Sequence, residues 1–198
     1  MKKTDNFKKH THRNPIQRFL LDNFFKTLLK LISEKKVDSI LDVGCGEGFT
    51  LNRLMTNKIG SKWEGIEYSK DAIVLGKKFY PEVKIKQASI YNLPYEDNSF
   101  DLVLCTEVLE HLENPDRALK ELVRVSNKYL VISVPNEPFF MMAQLIRGKN
   151  WSRLGNDIEH INHWTMFSFP QFIKKNARRI KISAQKHPFA WTMLLLEK

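Results

Sequence analysis

"SILDVGCGEGFTLNRL", residues 39–54, runs from an apolar stretch through three alternate glycines into a helix-like pattern. A strand, a glycine-rich turn and a helix N-terminus make a ligand site in doubly wound α/β sheets, because the backbone can approach the ligand and helix amides point at it. The spacing narrows the ligand. A dinucleotide fingerprint in this register needs glycine at 44, 46 and 49, but position 49 is Phe49 and the third glycine is Gly48. A phosphate loop needs a lysine before Thr50, where Phe49 again stands. Glu47 puts negative charge in the first helical turn, which opposes a pyrophosphate there. The loop therefore predicts close backbone contact with a ligand carrying little or no phosphate.

Two acids sharpen that expectation. Asp42 lies at the C-terminal end of the first strand, placed to face a cationic group such as an ammonium. Glu67 ends the next strand, where a carboxylate can accept ribose hydroxyls. Ribose joined to a charged amino acid describes S-adenosylmethionine.

The pattern outward from the loop alternates. "KWEGIEY", "VKIKQAS", "FDLVLCT" and "YLVISV" read as strands, the last stopped by Pro135. Helices are predicted from Glu47 to Met55, over "SKDAIVLGKKF" with Ser69 as N-cap, and over "NPDRALKELVRVS" with Pro115 at its start. Before the loop, residues 17–34 place Leu20, Leu21, Phe24, Phe25, Leu28, Leu31 and Ile32 at helical spacing. Residues 136–166 break the rhythm. "FSFPQFIKK" then reads as a short helix, and "RIKISAQ" with "AWTMLLLEK" as a closing strand pair. Short apolar strands between helices imply an α/β, doubly wound, mostly parallel sheet. The expected organisation is a single domain, 1–198, with a helical cap (1–36), a cofactor-binding core (37–135), an acceptor-side insertion (136–166) and a closing helix and strand pair (167–198).

Composition bounds the class. The chain has 198 residues, room for one full core. Two cysteines, Cys45 and Cys105, suggest no disulfide framework and a cytoplasmic setting. "FLLDNFFKTLLKLI" is broken by Asp22, Lys26 and Lys30, so neither a signal peptide nor a transmembrane segment is expected. Net charge is +10, but residues 37–145 carry 12 basic and 16 acidic side chains. The excess lies in residues 1–36 and 146–198, each with 10 basic and 3 acidic. Those ends either keep the surface solvated or form a rim for an anionic acceptor or acidic surface.

"LDVGCGEG", "GIEYS", "LPYEDNSFDLV" and "EVLEHLENP" resemble, in order over residues 39–136, the successive motifs of class I S-adenosylmethionine-dependent methyltransferases. The resemblance implies a seven-stranded sheet with the last strand antiparallel. It implies that Gly44, Cys45, Gly46 and Gly48 line the methionine moiety, that Glu67 binds the ribose, that Tyr68 borders the adenine and that the Cys105 carbonyl meets the ammonium. Relatives often carry an aspartate for the adenine amino group where this chain has Ser89, whose hydroxyl can accept one hydrogen bond, with the Ile90 amide serving the ring. Asp101 reads as structural, holding a strand start.

Methyl transfer from a sulfonium is an in-line displacement, so the protein positions the acceptor and removes a proton where needed. Candidate bases are Glu107, Glu110, His111, His160 and His163, with Glu107, His111 and His160 the main catalytic candidates. If "EVLEH" is helical, Glu107, Glu110 and His111 share one face, and with His160 could hold a divalent metal. That set resembles the metal site of small-RNA terminal 2′-O-methyltransferases, and its E-x-x-E-H part is similar to ubiquinone-pathway O-methyltransferases. "VLEHL" also occurs widely in the superfamily with no metal implied, the histidine then orienting the loop or acceptor. His10 and His12 read as solvated tail residues, with Arg13 or Arg18 able to pair with the methionine carboxylate if the N-terminus closes over the cofactor. Trp151, Trp164, Phe139 and Phe140 read as core, in a segment where acceptor pockets form. The expected partner is a small or lipid-like acceptor methylated on oxygen or nitrogen. RNA is the alternative, and a non-catalytic cofactor-binding module a third reading.

Overall fold

The apolar runs become strands because both of their faces are covered. In the computed structural model, which describes residues 4–11, 14–146, 154 and 159–198, seven strands form one sheet. They are β1 (Ser39–Val43), β2 (Lys62–Glu67), β3 (Lys84–Gln87), β4 (Phe100–Thr106), β5 (Ser126–Pro135), β6 (Lys181–Lys186) and β7 (Trp191–Glu197). The order is β3-β2-β1-β4-β5-β7-β6. The first five are parallel, and β7 is antiparallel to both neighbours. This is the doubly wound, seven-stranded architecture expected from the motifs. β5 runs one residue further than expected, because Pro135 still pairs with Trp191.

The described helices are α1 (Asp5–Thr11), α2 (Pro15–Ile32), α3 (Phe49–Thr56), α4 (Lys70–Phe79), α5 (Pro115–Val125), α6 (Phe139–Ile146) and α7 (Ser168–Asn176). Successive side chains on a strand point to opposite faces. Ile40 joins the apolar cluster containing Leu28, Leu51 and Leu54, while Leu41 and Val43 join that of Leu119, Leu122 and Phe169. α2 starts two residues before the predicted position because Asn14 caps it, its side chain accepting from the Ile16 and Gln17 amides, with Pro15 at the first turn. α3 starts two residues late because Gly48, at φ 85°, is left-handed. Ser69 caps α4 as expected, accepting from the Ala72 amide at 3.3 Å. α1 was not legible: its one buried side chain, Phe7, leaves no periodic signal.

Strand order reverses between β1 and β4, and ligands of such sheets bind beyond the strand ends at that point. Asp101 braces the opposite end of this pair. Its carboxylate accepts from the Asp38 amide at 2.9 Å and pairs with Lys128 at 2.9 Å. Burial raises its pKa, but Lys128 and the Asp38 and Ser39 amides outweigh that and hold it at about 2. A depressed folded pKa stabilises the protein above the unfolded value and is lost as pH falls through the folded one. Asp101→Asn should thus lower stability at pH 7 by about 1–2 kcal/mol. The difference from wild type should shrink as pH falls from about 4 to about 2. Urea midpoints across that range check this; a constant difference would contradict it.

Candidate active site

The glycine loop is tied to the neighbouring strand. The amides of Gly44 and Cys45 both donate to the Ile66 carbonyl, at 2.8 and 3.1 Å. Gly44 stands at φ 76°, and a Cβ there would lie 2.4 Å from Val108 Cγ2. Only glycine lets the loop pass beneath the β4 turn.

Above the loop lies a cavity of about 630 Å³. Asp42, Gly44, Cys45, Gly46, Glu67, Tyr68 and Ile90 line one part, and Glu107, Glu110, His111 and His160 another. One cavity thus joins residues expected to hold the methyl donor to the candidate catalytic residues. Three of the expected donor residues do not border it. Gly48 forms the turn into α3, Cys105 is buried within β4, and the Ser89 hydroxyl accepts from the Tyr91 amide at 3.3 Å.

Glu67 is fixed by three backbone donors: Tyr68 N at 2.8 Å, Ser69 N at 2.7 Å and Gly46 N at 2.9 Å. A carboxylate has about four acceptor positions. One therefore stays open for a ribose hydroxyl, and a second opens if the Gly46 bond is exchanged. Asp42 is buried, and neither of its oxygens has a hydrogen-bond partner among the described residues. Burial, then the charge of Glu67, raises its pKa to about 7. A buried carboxylate facing a cavity without a partner fits a cationic ligand group, as expected from the sequence for an ammonium. Such a ligand favours the ionised form. Affinity for S-adenosylhomocysteine should then be higher at pH 8 than at pH 6, by up to about tenfold, because Asp42 must first lose its proton at the lower pH. Calorimetry at both values checks this; equal affinity would exclude Asp42 as the ammonium's partner.

α1 lies over the donor part. Thr4 and Asn6 donate to the buried Glu47 carboxylate. Phe7 packs between Phe49 and Phe79, with ring centroids 5.9 and 4.7 Å away. His10 corrects the tail reading: it stacks on Phe49 at 4.2 Å, and burial, then Lys9 and Arg53, lowers its pKa to about 3, so it is neutral. Arg18 is exposed on α2 and does not line the cavity. His12, Arg13 and Trp151 lie outside the described residues.

"EVLEH" is not an α-helix. Glu107 stands at φ 59°, and only Leu109–His111 form a 3₁₀ turn. The residues meet through tertiary contacts instead. The amides of Ile161 and Asn162 donate to the Glu110 carbonyl, and the Asn162 side chain donates to the carbonyls of Leu109 and Leu112. These bonds bring His160 beside the turn. Ligand atoms of Glu110, His111 and His160 all lie within 4.8 Å of one another. Glu107 stands behind them, its carboxylate accepting from the Ser133 hydroxyl at 3.1 Å and from the Trp191 indole.

Both oxygens of Glu110 are buried and lack a hydrogen-bond partner among the described residues. Burial, then the charge of Glu107, pushes its pKa well up. His111 Nδ1 lies 2.9 Å from the Glu159 carbonyl, which can only accept, so Nδ1 carries a proton and Nε2 is the unprotonated nitrogen whenever the ring is neutral. Its Nε2 is 3.9 Å from Glu110. Unpartnered carboxylate oxygens beside a bare imidazole nitrogen fit a divalent cation. Ligand atoms about 2.1 Å from one tetrahedral ion lie about 3.4 Å apart, so the three would have to close by up to about 1.4 Å to share it.

Sequence reasoning missed three neighbours. Glu137 Oε1 lies 3.8 Å from His160 Nδ1. Lys9 extends its ammonium over the Trp191 ring, 5.6 Å from its centroid. Trp191 reads in the sequence only as a strand residue. His163 is half exposed, Trp164 is core, packed on Phe169 and Phe172, and Phe140 borders the cavity while Phe139 is exposed.

Residues 41–131 match the methyltransferase domain family. The Mycobacterium tuberculosis protein named "Probable S-adenosylmethionine-dependent methyltransferase" is 31% identical over 103 residues, covering 51% of this chain and 37% of its own. The chain thus spans about a third of that relative's length. Among solved structures, a small RNA methyltransferase superposes with TM-score 0.73 at 20% identity, over 90% of this chain and 25% of that one. Magnesium protoporphyrin IX methyltransferase from Synechocystis, with bound S-adenosylhomocysteine, superposes with TM-score 0.70 at 14% identity, over 98% and 95%. These two likenesses are of fold.

Proposed function

We propose that this chain is a class I S-adenosylmethionine-dependent methyltransferase, with S-adenosylmethionine as its methyl donor, and that it methylates an oxygen or nitrogen of a small or lipid-like acceptor. The reading rests on one observation: a single cavity joins the glycine loop, Asp42 and Glu67 to the Glu107–Glu110–His111–His160 cluster. Asp42 holds the donor's ammonium and Glu67 its ribose. The acceptor atom enters beside Glu110 and meets the methyl group in line. His111, with Nε2 free, or His160 takes the proton of a hydroxyl acceptor. The cavity interior is acidic, so an anionic portion of the acceptor belongs at the rim, near Lys8 and the basic ends.

The second reading is methylation of an RNA hydroxyl, favoured by the unpartnered Glu110 oxygens beside His111 and His160. What a divalent metal supplies at such a cluster, when bound, is a lower pKa for an acceptor hydroxyl. Glu110, His111 and His160 would hold it, with Glu107 behind. Two imidazoles and a carboxylate suit Mn²⁺, Fe²⁺ or Co²⁺ at least as well as Mg²⁺.

The test offers methyl-labelled S-adenosylmethionine with three acceptor pools: hydroxylated lipid-like phenols, amines, and RNA with a free 3′ terminus. Label in the first or second pool is expected. Label in RNA alone would move the assignment to the second reading. No transfer at all, with cofactor binding intact, would leave a non-catalytic binding module. Among the described residues no helix is long and apolar enough to cross a membrane.

A further inference from the structure

We propose that Glu137 is a positioning residue of this site: its carboxylate holds the His160 imidazole through Nδ1 and so presents Nε2 toward Glu110 and His111. The inference rests on the functional reading only for what His160 then does.

Glu137 follows β5 and is itself rigidly placed. Its amide donates to the Trp164 carbonyl at 2.9 Å, and its Oε2 accepts from the Met141 amide at 3.3 Å. Its Oε1 is buried and has no hydrogen-bond partner among the described residues. That oxygen faces two imidazoles, His160 Nδ1 at 3.8 Å and His163 Nδ1 at 4.0 Å. The His160 side chain is 6% exposed and that of His163 is 43% exposed. His163 stands open to water, whereas His160 reaches it only through the cavity that it lines. The buried imidazole therefore has the greater need of the buried carboxylate.

The His160 ring is also fixed from two other sides. It lies 5.1 Å from the His111 ring and 5.1 Å from Phe140. A ring so held has two tautomers to choose between, and the group on one nitrogen decides what the other can do. With the proton on Nδ1 toward Glu137, Nε2 is an unprotonated donor of electrons into the cavity. It can then bind a cation or accept a proton. The charged partner raises its basicity for either task. With the proton on Nε2 it could do neither. His111 reaches the same state through the Glu159 carbonyl. The two histidines are thus set by two different acceptors, one neutral and one charged.

A purely structural Glu137 would act through its Oε2 bond to α6 and leave the tautomer of His160 alone. Nitrogen-15 NMR of the imidazoles separates the two roles, with His160 assigned from the spectrum of His160→Gln. Wild type should show His160 as the Nδ1–H tautomer. Glu137→Met, which removes the acceptor, should shift it to a mixture or to Nε2–H. The same variant should bind Co²⁺ about 10–100-fold more weakly, read from its visible absorption. Its affinity for S-adenosylhomocysteine should stay near that of wild type. If Glu137→Met fails to fold, the wild-type spectrum decides alone. An Nε2–H tautomer in wild type, or an unchanged tautomer in a folded Glu137→Met, would overturn the proposal. Failure of wild type to bind S-adenosylhomocysteine would instead strike the functional reading, and the tautomer result would stand.

Discussion

Glu110→Gln is expected to lower turnover by about 10²–10⁴-fold while leaving cofactor affinity nearly unchanged. The carboxylate is 1% exposed, neither oxygen has a hydrogen-bond partner among the described residues, and the negative charge of Glu107 stands beside it. Such a group costs stability unless something in the working enzyme uses it. Removing its charge should therefore raise the melting temperature as it removes activity, the opposite of what a structural residue would do. Glu107→Gln should cost less, because the Trp191 indole can still donate to the amide oxygen while the Ser133 hydroxyl turns to accept from the amide nitrogen. Chelator separates the two chemistries. If a divalent metal takes part, excess chelator abolishes turnover of wild type and added Mn²⁺ restores it. If His111 or His160 is the base alone, turnover persists in chelator and Glu110→Gln retains part of it. Wild-type turnover by Glu110→Gln would remove Glu110 from the chemistry.

Glu67→Ala is expected to weaken cofactor binding by about 10–100-fold, because hydrogen bonds to a charged group are worth about 1.5–3 kcal/mol. Two effects combine. The ribose loses its acceptor, and the amides of Gly46, Tyr68 and Ser69 lose theirs. The Gly46 bond ties the glycine loop to the end of β2, so the loop should also loosen. Glu67→Gln separates the parts: its one oxygen can still accept from the Tyr68 and Ser69 amides, but it turns a neutral amide nitrogen toward Gly46 and the ribose. It should fall between wild type and alanine. An unchanged dissociation constant for Glu67→Ala would mean that the ribose lies elsewhere.

The sheet was legible because its strands are covered on both faces. Runs such as "SILDV" and "FDLVLCT" have to be apolar throughout, and turn residues separate them from helices with caps written at Ser69 and Pro115. The glycine loop was legible because glycine is required where Gly44 passes under Val108. The cluster of Glu107, Glu110, His111 and His160 was less so. The helical spacing of Glu107, Glu110 and His111 pointed to one face, but the chain there takes a left-handed residue and a 3₁₀ turn, which no local pattern announces. The residues still meet, through the Asn162 side chain and the backbone of residues 159–162, contacts made across some fifty positions of sequence. Glu137 gave no local sign, because its partners His160 and His163 reach it only in the folded chain. Lys9 and His10 read as part of a basic tail because a helix with one buried aromatic has no period to detect.

Calorimetric titration of the wild-type chain with S-adenosylhomocysteine and, separately, with NAD tests the central claim most directly. Phe49 stands where a dinucleotide fold needs glycine, and the Asp42 carboxylate, without a hydrogen-bond partner among the described residues, fits an ammonium rather than a pyrophosphate. Binding of S-adenosylhomocysteine with a saturable heat at one site, and no heat from NAD, is the expected result. Tight NAD binding with no response to S-adenosylhomocysteine would contradict the account.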